Sequence, residues 1–387
     1  MYFKIFLPVF LLLIFQIITF FFYGGFTYSP KYQTQILILL MYSSALVSIF
    51  FSCLFFNKEN YKVKKYKSNA KLDFFVLILA FLFLIRPTIA LLTLAYNYDF
   101  EYLRINYYTD DSLQKIVYGS NIVNAITNFY IVPFLWFYII LISNSTEKRA
   151  VFIFYLLLFI LVLFNLSYGG RFNIYFALII LFLRNILLNG GVLKFIKKYI
   201  LLIFVLIFIS FSVVLIRTKQ EASSSINEFL VLLEYHILPT FIMGQKIDSG
   251  ILKFEGFPFR VFINSIIAPF LFVSGSAGDE IPYIYYPKLI SDFTLYSSAT
   301  NNYYNAYSTL FSYFFVDYGW LSFVFFVFFV FFVFFNSLFL SLDLRLKYLS
   351  YFSFMMYISL FQSPIFSPGA ITILILFPVT YFLIKKR

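Results

Sequence analysis

The chain has 387 residues, 62% of them hydrophobic and only 12% charged, with a mean hydropathy of +0.89, which excludes a soluble globular domain because 29 basic and 17 acidic residues cannot clothe a hydrated surface of that size. The net charge of +12 does not indicate nucleic acid, since the lysines sit in short loops between apolar runs, where membrane orientation accounts for them. A single cysteine, Cys53, inside an apolar run excludes an intramolecular disulfide framework and a cysteine metal cluster.

The apolar runs predict an all-α, polytopic integral membrane protein of about ten transmembrane helices in one domain over residues 1–387. Residues 6–23 form the first span, about 18 residues long, enough to cross a hydrocarbon core of roughly 30 Å. With no small-residue cleavage site after it, the segment reads as an uncleaved anchor. The second span covers 36–56, and the loop after it carries Lys58, Lys62, Lys64, Lys65, Lys67 and Lys71 against Glu59, which marks it as cytoplasmic. The third, 72–96, leads to an outer segment with Asp99, Glu101, Asp110 and Asp111. Spans at 116–142 and 151–166 follow, joined by Glu147, Lys148 and Arg149. A tight hairpin, Tyr168 to Arg171, leads into 172–188, and Lys194, Lys197 and Lys198 precede 199–216. Spans at 320–340, 348–360 and 371–384 complete the set and leave both termini cytoplasmic.

Residues 217–319 are the longest interval without an unmistakable span, and they read as one large external loop containing amphipathic or re-entrant helices. One such helix is predicted at 228–243, with Phe229, Leu232, Leu233 and Ile237 as its apolar stripe and Glu228, Glu234 and His236 off the stripe or at its margin. Pro239 is expected to end or kink it. A second, 257–273, holds Pro258, Arg260, Asn264 and Pro269, which argue against a full crossing. Arg86 lies about 14 residues into the third span, roughly 21 Å of rise, so an inward-facing role is the default expectation for it.

Several short motifs sit at the outer ends of these spans: Ser167 to Phe172 with Gly169, Gly170 and Arg171 at its centre; Arg217 closing a span; Asn305, Ala306 and Tyr307; and Asp317, Tyr318 and Gly319. With the layout of the whole chain, they resemble the oligosaccharide repeat-unit polymerases of the Wzy type, which build O-antigen and capsule; O-antigen ligases share much of that layout. The resemblance implies glycosyl transfer between two undecaprenyl-pyrophosphate-linked oligosaccharides on the outer face of a bacterial inner membrane, with a chain-length regulator and a flippase as possible partners. It implies no cofactor and no nucleic acid.

Such a donor presents a pyrophosphate at the bilayer surface, and arginine suits it because a guanidinium pairs with phosphate oxygens in a bidentate fork. Arg171, Arg217, Arg260 and Arg86 are the candidates. The glycines of the hairpin allow a close backbone approach to a ligand. Pyrophosphate leaves readily, so the remaining need is a base for the acceptor hydroxyl, drawn from His236, Glu234, Glu255, Asp279 and Glu280. His236, the only histidine, belongs to the residue type that titrates near neutrality. Asp317 is expected to cap or position the span after Gly319. The chain offers no metal-ligand spacing and no glycine-rich nucleotide loop. The rival class is a transporter of lipid-linked oligosaccharide, which would carry repeated halves and polar residues within its spans; a structural membrane scaffold would leave the outer arginines without a role.

Overall fold

A computed structural model describes residues 1–56, 65–67, 69–97, 111–167, 172–188, 190–218, 225–254, 294–305, 309–361 and 367–385. Helices α1 (Tyr2–Phe22) and α2 (Tyr32–Phe55) are followed by α3 (Ala70–Ala80), a π-helical turn (Phe81–Ile85) and α4 (Arg86–Asn97), which continue one another. Then come α5 (Asp111–Tyr118), α6 (Asn121–Ile126), a second π-helical turn (Thr127–Ile131) and α7 (Val132–Ile142). Helices α8 (Lys148–Ser167), α9 (Phe172–Leu187), α10 (Val192–Thr218) and α11 (Ser225–Asp248) follow. An antiparallel hairpin of β1 (Thr294–Ser297) and β2 (Asn302–Asn305) precedes α12 (Leu310–Tyr318), a 3-10 turn (Gly319–Leu321), α13 (Ser322–Asn336), α14 (Leu342–Ser359) and α15 (Pro368–Lys385). The hairpin is an addition to the all-α expectation. Its Thr, Leu and Tyr residues favour extended backbone, Asn301 takes the left-handed conformation in the turn with φ of 54°, and an isolated bridge from Ser297 to Phe26 ties it to the α1–α2 loop.

Among the described residues, five helical stretches are long and apolar enough to cross a membrane: Tyr2–Phe22, Tyr32–Phe55, Ala70–Leu94, Ile122–Ile142 and Leu310–Phe339. The predicted start of a span at Trp320 moves upstream, because the chain is already helical from Leu310. Gly319, with φ of 55°, makes the left-handed break between α12 and α13, and Phe254 packs where a β-carbon would stand.

Each π-helical turn lies just before a proline, Pro87 or Pro133. A proline ring clashes with the carbonyl four residues earlier and offers no N–H to it, and a widened turn relieves the clash without breaking the helix. For Pro133 that carbonyl belongs to Phe129, and Gly369 at the start of α15 comes so close that a β-carbon would stand 2.4 Å from the Phe129 oxygen.

Helix α1 sits at the centre, packed against α2, α9, α11 and α14, while α13 lies along α2. Within lipid no hydrophobic force separates helix from tail, so close packing and interhelical hydrogen bonds hold such a bundle. Ser353 Oγ donates to Ile5 O at 2.8 Å; Asn336 Nδ2 donates to Leu374 O and Ile375 O at 2.9 and 3.0 Å; Tyr348 OH donates to Leu374 O at 2.6 Å. Phe6 stacks on Phe334, with ring centroids 5.5 Å apart, and meets Phe352 edge-on at 5.9 Å.

Candidate functional site

The C-terminal end of α1, the N-terminal ends of α2 and α9, the C-terminal end of α14 and the β-hairpin meet at one end of the bundle, around α11. This helix differs from its expected place on an outer interface. Ile237, Leu238, Phe241, Ile242 and Met243 are all buried, packed toward α1 and α2, and the helix passes through Pro239 without ending. Burial on more than one side outweighs the proline's lost hydrogen bond. Tyr42 of α2 bonds Thr240 at 2.7 Å, and Phe241 packs on Phe20 and Phe26 at 5.1 and 4.8 Å.

Glu234 does not lie at a wet margin; it is fully buried. Its carboxyl group accepts hydrogen bonds from Tyr23 OH, from Ser297 Oγ and, at 2.8 Å, from Thr300 Oγ1. Tyr23 ends the first helix, and Ser297 and Thr300 belong to the hairpin and its turn, so one side chain ties three distant segments together. Backbone bonds extend the tie: Ser298 N–H to Gly25 O at 2.9 Å and Thr27 N–H to Tyr296 O at 3.2 Å. Burial, and then the bond to Glu234, push the Tyr23 phenol above its ordinary range, so it remains a proton donor.

At the end of α11, Asp248 closes a second tie. Its Oδ2 accepts from Tyr28 OH at 2.5 Å and from Lys31 N–H at 2.8 Å, and its Oδ1 accepts from Thr34. Lys31 is the N-cap of α2, so the carboxylate lies at a helix N-terminus. Burial raises the Asp248 carboxyl, but the bonds from Lys31, Thr34 and Tyr28, helped by the Lys31 charge, more than offset it and hold the group below the ordinary 3.8.

His236 is held between these ties. Its carbonyl accepts from Gln16 Nε2 at 2.9 Å, and its half-buried ring meets Tyr175 and Phe361 edge-on at 5.2 and 5.4 Å. Gln16 is itself fully buried and also reaches Leu360 O at 3.5 Å. Its Oε1 has no hydrogen-bond partner among the described residues. Of the candidate bases that the structure describes, Glu234 is consumed by its three hydroxyl donors and sealed from solvent, whereas the His236 ring stays partly open.

Arg86, expected to face inward, is exposed beside the left-handed Gly119, where an added β-carbon would stand 2.8 Å from its Nη2. It opens α4, whose Leu91 packs with Val117 and Tyr118 of α5 in a small satellite cluster. Asp317 does not cap the helix after Gly319, which has no side-chain cap; it is buried within α12 instead. Arg217 is one residue from the end of α10, and Asn305 pairs with Thr294 at the open end of the hairpin. Arg171, Arg260, Glu255, Gly169, Gly170, Tyr307, Asp279 and Glu280 lie outside the described residues, as does the segment 257–273.

The other end of the bundle is basic. Asp73, nearly fully buried in α3, pairs with Arg149 at 3.3 Å and accepts from Tyr138 OH, and Ser145 Oγ donates to Tyr66 O at 2.9 Å. Lys347 of α14 lies 4.8 Å from the Tyr66 ring centroid. Compared with protein-family models, curated proteins and solved structures, the chain matches none.

Proposed function

We propose that this protein is a glycan polymerase that joins undecaprenyl-pyrophosphate-linked oligosaccharide units into O-antigen or capsular polysaccharide on the outer face of a bacterial inner membrane. The observation that carries the reading is the partly open His236, held on a helix tied to its neighbours by the buried Glu234 and by Asp248 at its C-terminal end, at the bundle end opposite the lysine-rich loops. The positive-inside tendency assigns those loops, with both termini, to the cytoplasm, in a layout of about ten crossings, and so assigns the His236 end to the outer side.

In this reading the acceptor hydroxyl oxygen attacks the anomeric carbon of the donor and forms the new glycosidic bond. The bond from that carbon to the pyrophosphate oxygen breaks, and its electron pair leaves with the pyrophosphate. The hydroxyl proton passes to the His236 ring. Arg217, with Arg171 and Arg260, neutralises the charge on the departing pyrophosphate, and Arg86 contributes positive charge from α4. Glu234 and Gln16 take no proton; they position α11.

The test is surface glycan length on a gel after gene deletion and complementation. Loss of a polymerase leaves single repeat units on the core, loss of a ligase leaves bare core, and loss of a flippase traps units inside. His236→Ala and Arg217→Lys should both give single units at normal protein level. Long-chain glycan in the deletion strain rules the polymerase out.

A further inference from the structure

We propose that the basic end carries a binding site for the phosphodiester headgroup of an anionic phospholipid, built by Arg184, Lys198, Tyr155 and Tyr199 where α8, α9 and α10 meet. It is independent of the proposed chemistry at the opposite end. Arg184 lies in the last turn of α9 and is 5% exposed. One of its Nη groups donates to Ser143 O, and its guanidinium carbon stands 4.6 Å from the Phe154 ring centroid and 5.7 Å from that of Tyr155. Among the described residues its buried Nε has no hydrogen-bond partner and no carboxylate stands within ion-pair distance of it. A buried cation is costly unless an anion or a full set of acceptors meets it, and a carbonyl and two rings leave this one short of both.

A second cation completes the head of the site. Lys198 is exposed, with Nζ 5.0 Å from the Tyr199 ring centroid. The Tyr155 and Tyr199 side chains are hydrogen-bonded to each other, and the charges of Arg184 and Lys198 both act on Tyr155, so the four groups share one locality. A guanidinium, an ammonium and phenolic hydroxyls suit the oxygens of a phosphate ester.

The surface leading away from this head decides for a lipid over a free phosphate. Along α8, Phe152, Phe159 and Leu163 are exposed at 64, 62 and 36%; along α10, Leu201, Phe204 and Phe208 are exposed at 76, 64 and 69%. These side chains run from the basic end toward the middle of the bundle and offer acyl chains an apolar bed, which a free ion cannot use. Basic pockets between helices on the cytoplasmic side are suited to anionic headgroups.

The experiment uses the full chain in nanodiscs of phosphatidylcholine, with phosphatidylglycerol raised in steps, and reads thermal unfolding and lipid retention by native mass spectrometry. Phosphatidylglycerol should raise the unfolding temperature in a saturable way, while inorganic phosphate in phosphatidylcholine discs should leave it unchanged. Lys198→Gln should weaken retention about fivefold, and Arg184→Gln should remove it. Lys253→Gln, an exposed lysine just beyond α11 at the opposite end, is the control and should retain lipid like the parent. If Arg184→Gln does not fold, Lys198→Gln decides, because that exposed lysine supports no core. Equal stability in both lipids, unchanged retention by Lys198→Gln, or the same stabilisation by phosphate alone overturns the proposal.

Discussion

Replacing Glu234 with alanine tests whether its carboxyl group holds the hairpin and the first helix on α11. The side chain accepts from Tyr23, Ser297 and Thr300 in a fully buried setting. A hydrogen bond to a charged partner contributes about 1.5–3 kcal/mol, and a buried donor left without an acceptor costs about 1–3 kcal/mol. Removal also recovers the desolvation cost of the carboxylate, several kcal/mol, so the net loss is smaller than a simple total of the three bonds and is set at about 3 kcal/mol. The assay places a cysteine at Leu295, which is 1% exposed in β1, and follows its labelling rate in lipid; the one native cysteine, Cys53, is buried. A loss of that size raises hairpin opening, and hence labelling, about a hundredfold. Thr300→Val should raise it less, and in a double-mutant cycle the two changes should couple by about 1–2 kcal/mol. Labelling unchanged by Glu234→Ala, or additivity within about 0.5 kcal/mol, would refute the tie.

Further outcomes follow from the packing. Gly369→Ala drives a β-carbon into the Phe129 backbone oxygen at 2.4 Å, where no rotamer change can yield; a loss of about 2–4 kcal/mol in unfolding free energy is expected, and a neutral result would show that α15 does not approach the π turn this closely. Gly119→Ala meets both a left-handed backbone, φ of 81°, and the flexible Arg86 guanidinium, so about 1–2 kcal/mol is expected, and Arg86→Ala in the same chain should restore only the steric part. The Asp248 carboxyl is held below its ordinary 3.8, so its contribution is present above that pH and lost as pH falls through the lower folded-state value; Asp248→Asn should flatten the acid limb of a stability profile below about pH 4, and an unchanged limb would remove Asp248 from the account. Arg149→Ala removes the ion-pair partner of the buried Asp73, which keeps its bond from Tyr138; because Arg149 is half exposed, about 1 kcal/mol of loss is expected, checked by unfolding in lipid at low and high salt.

What the sequence determined by itself was the class of molecule and the places of its helices. Runs of 18 or so apolar residues have one low-energy solution in lipid, a helix that satisfies its own backbone. The helices covering 2–22, 32–55, 70–94 and 122–142 therefore match the predicted spans to within a few residues at most boundaries. The polar Gln16 inside the first span and the Tyr-Gly-Gly at its end were visible signals of a site at that end, since a buried polar group in a span needs a partner. Which partner was not legible. Glu234 finds Tyr23 at a separation of 211 residues and Ser297 and Thr300 at 63 and 66, and Gln16 finds Leu360 at 344. Hydrophobic periodicity carries no term for such distances. It put 228–243 on an interface because its charged residues lie off the apolar stripe or at its margin, while the fold supplied hydroxyls that let one of those charges be buried. Only tertiary packing could turn Glu234 from a candidate base into a tie, leave His236 partly open beside it, and bury Arg184 at the other end without a counter-ion among the described residues.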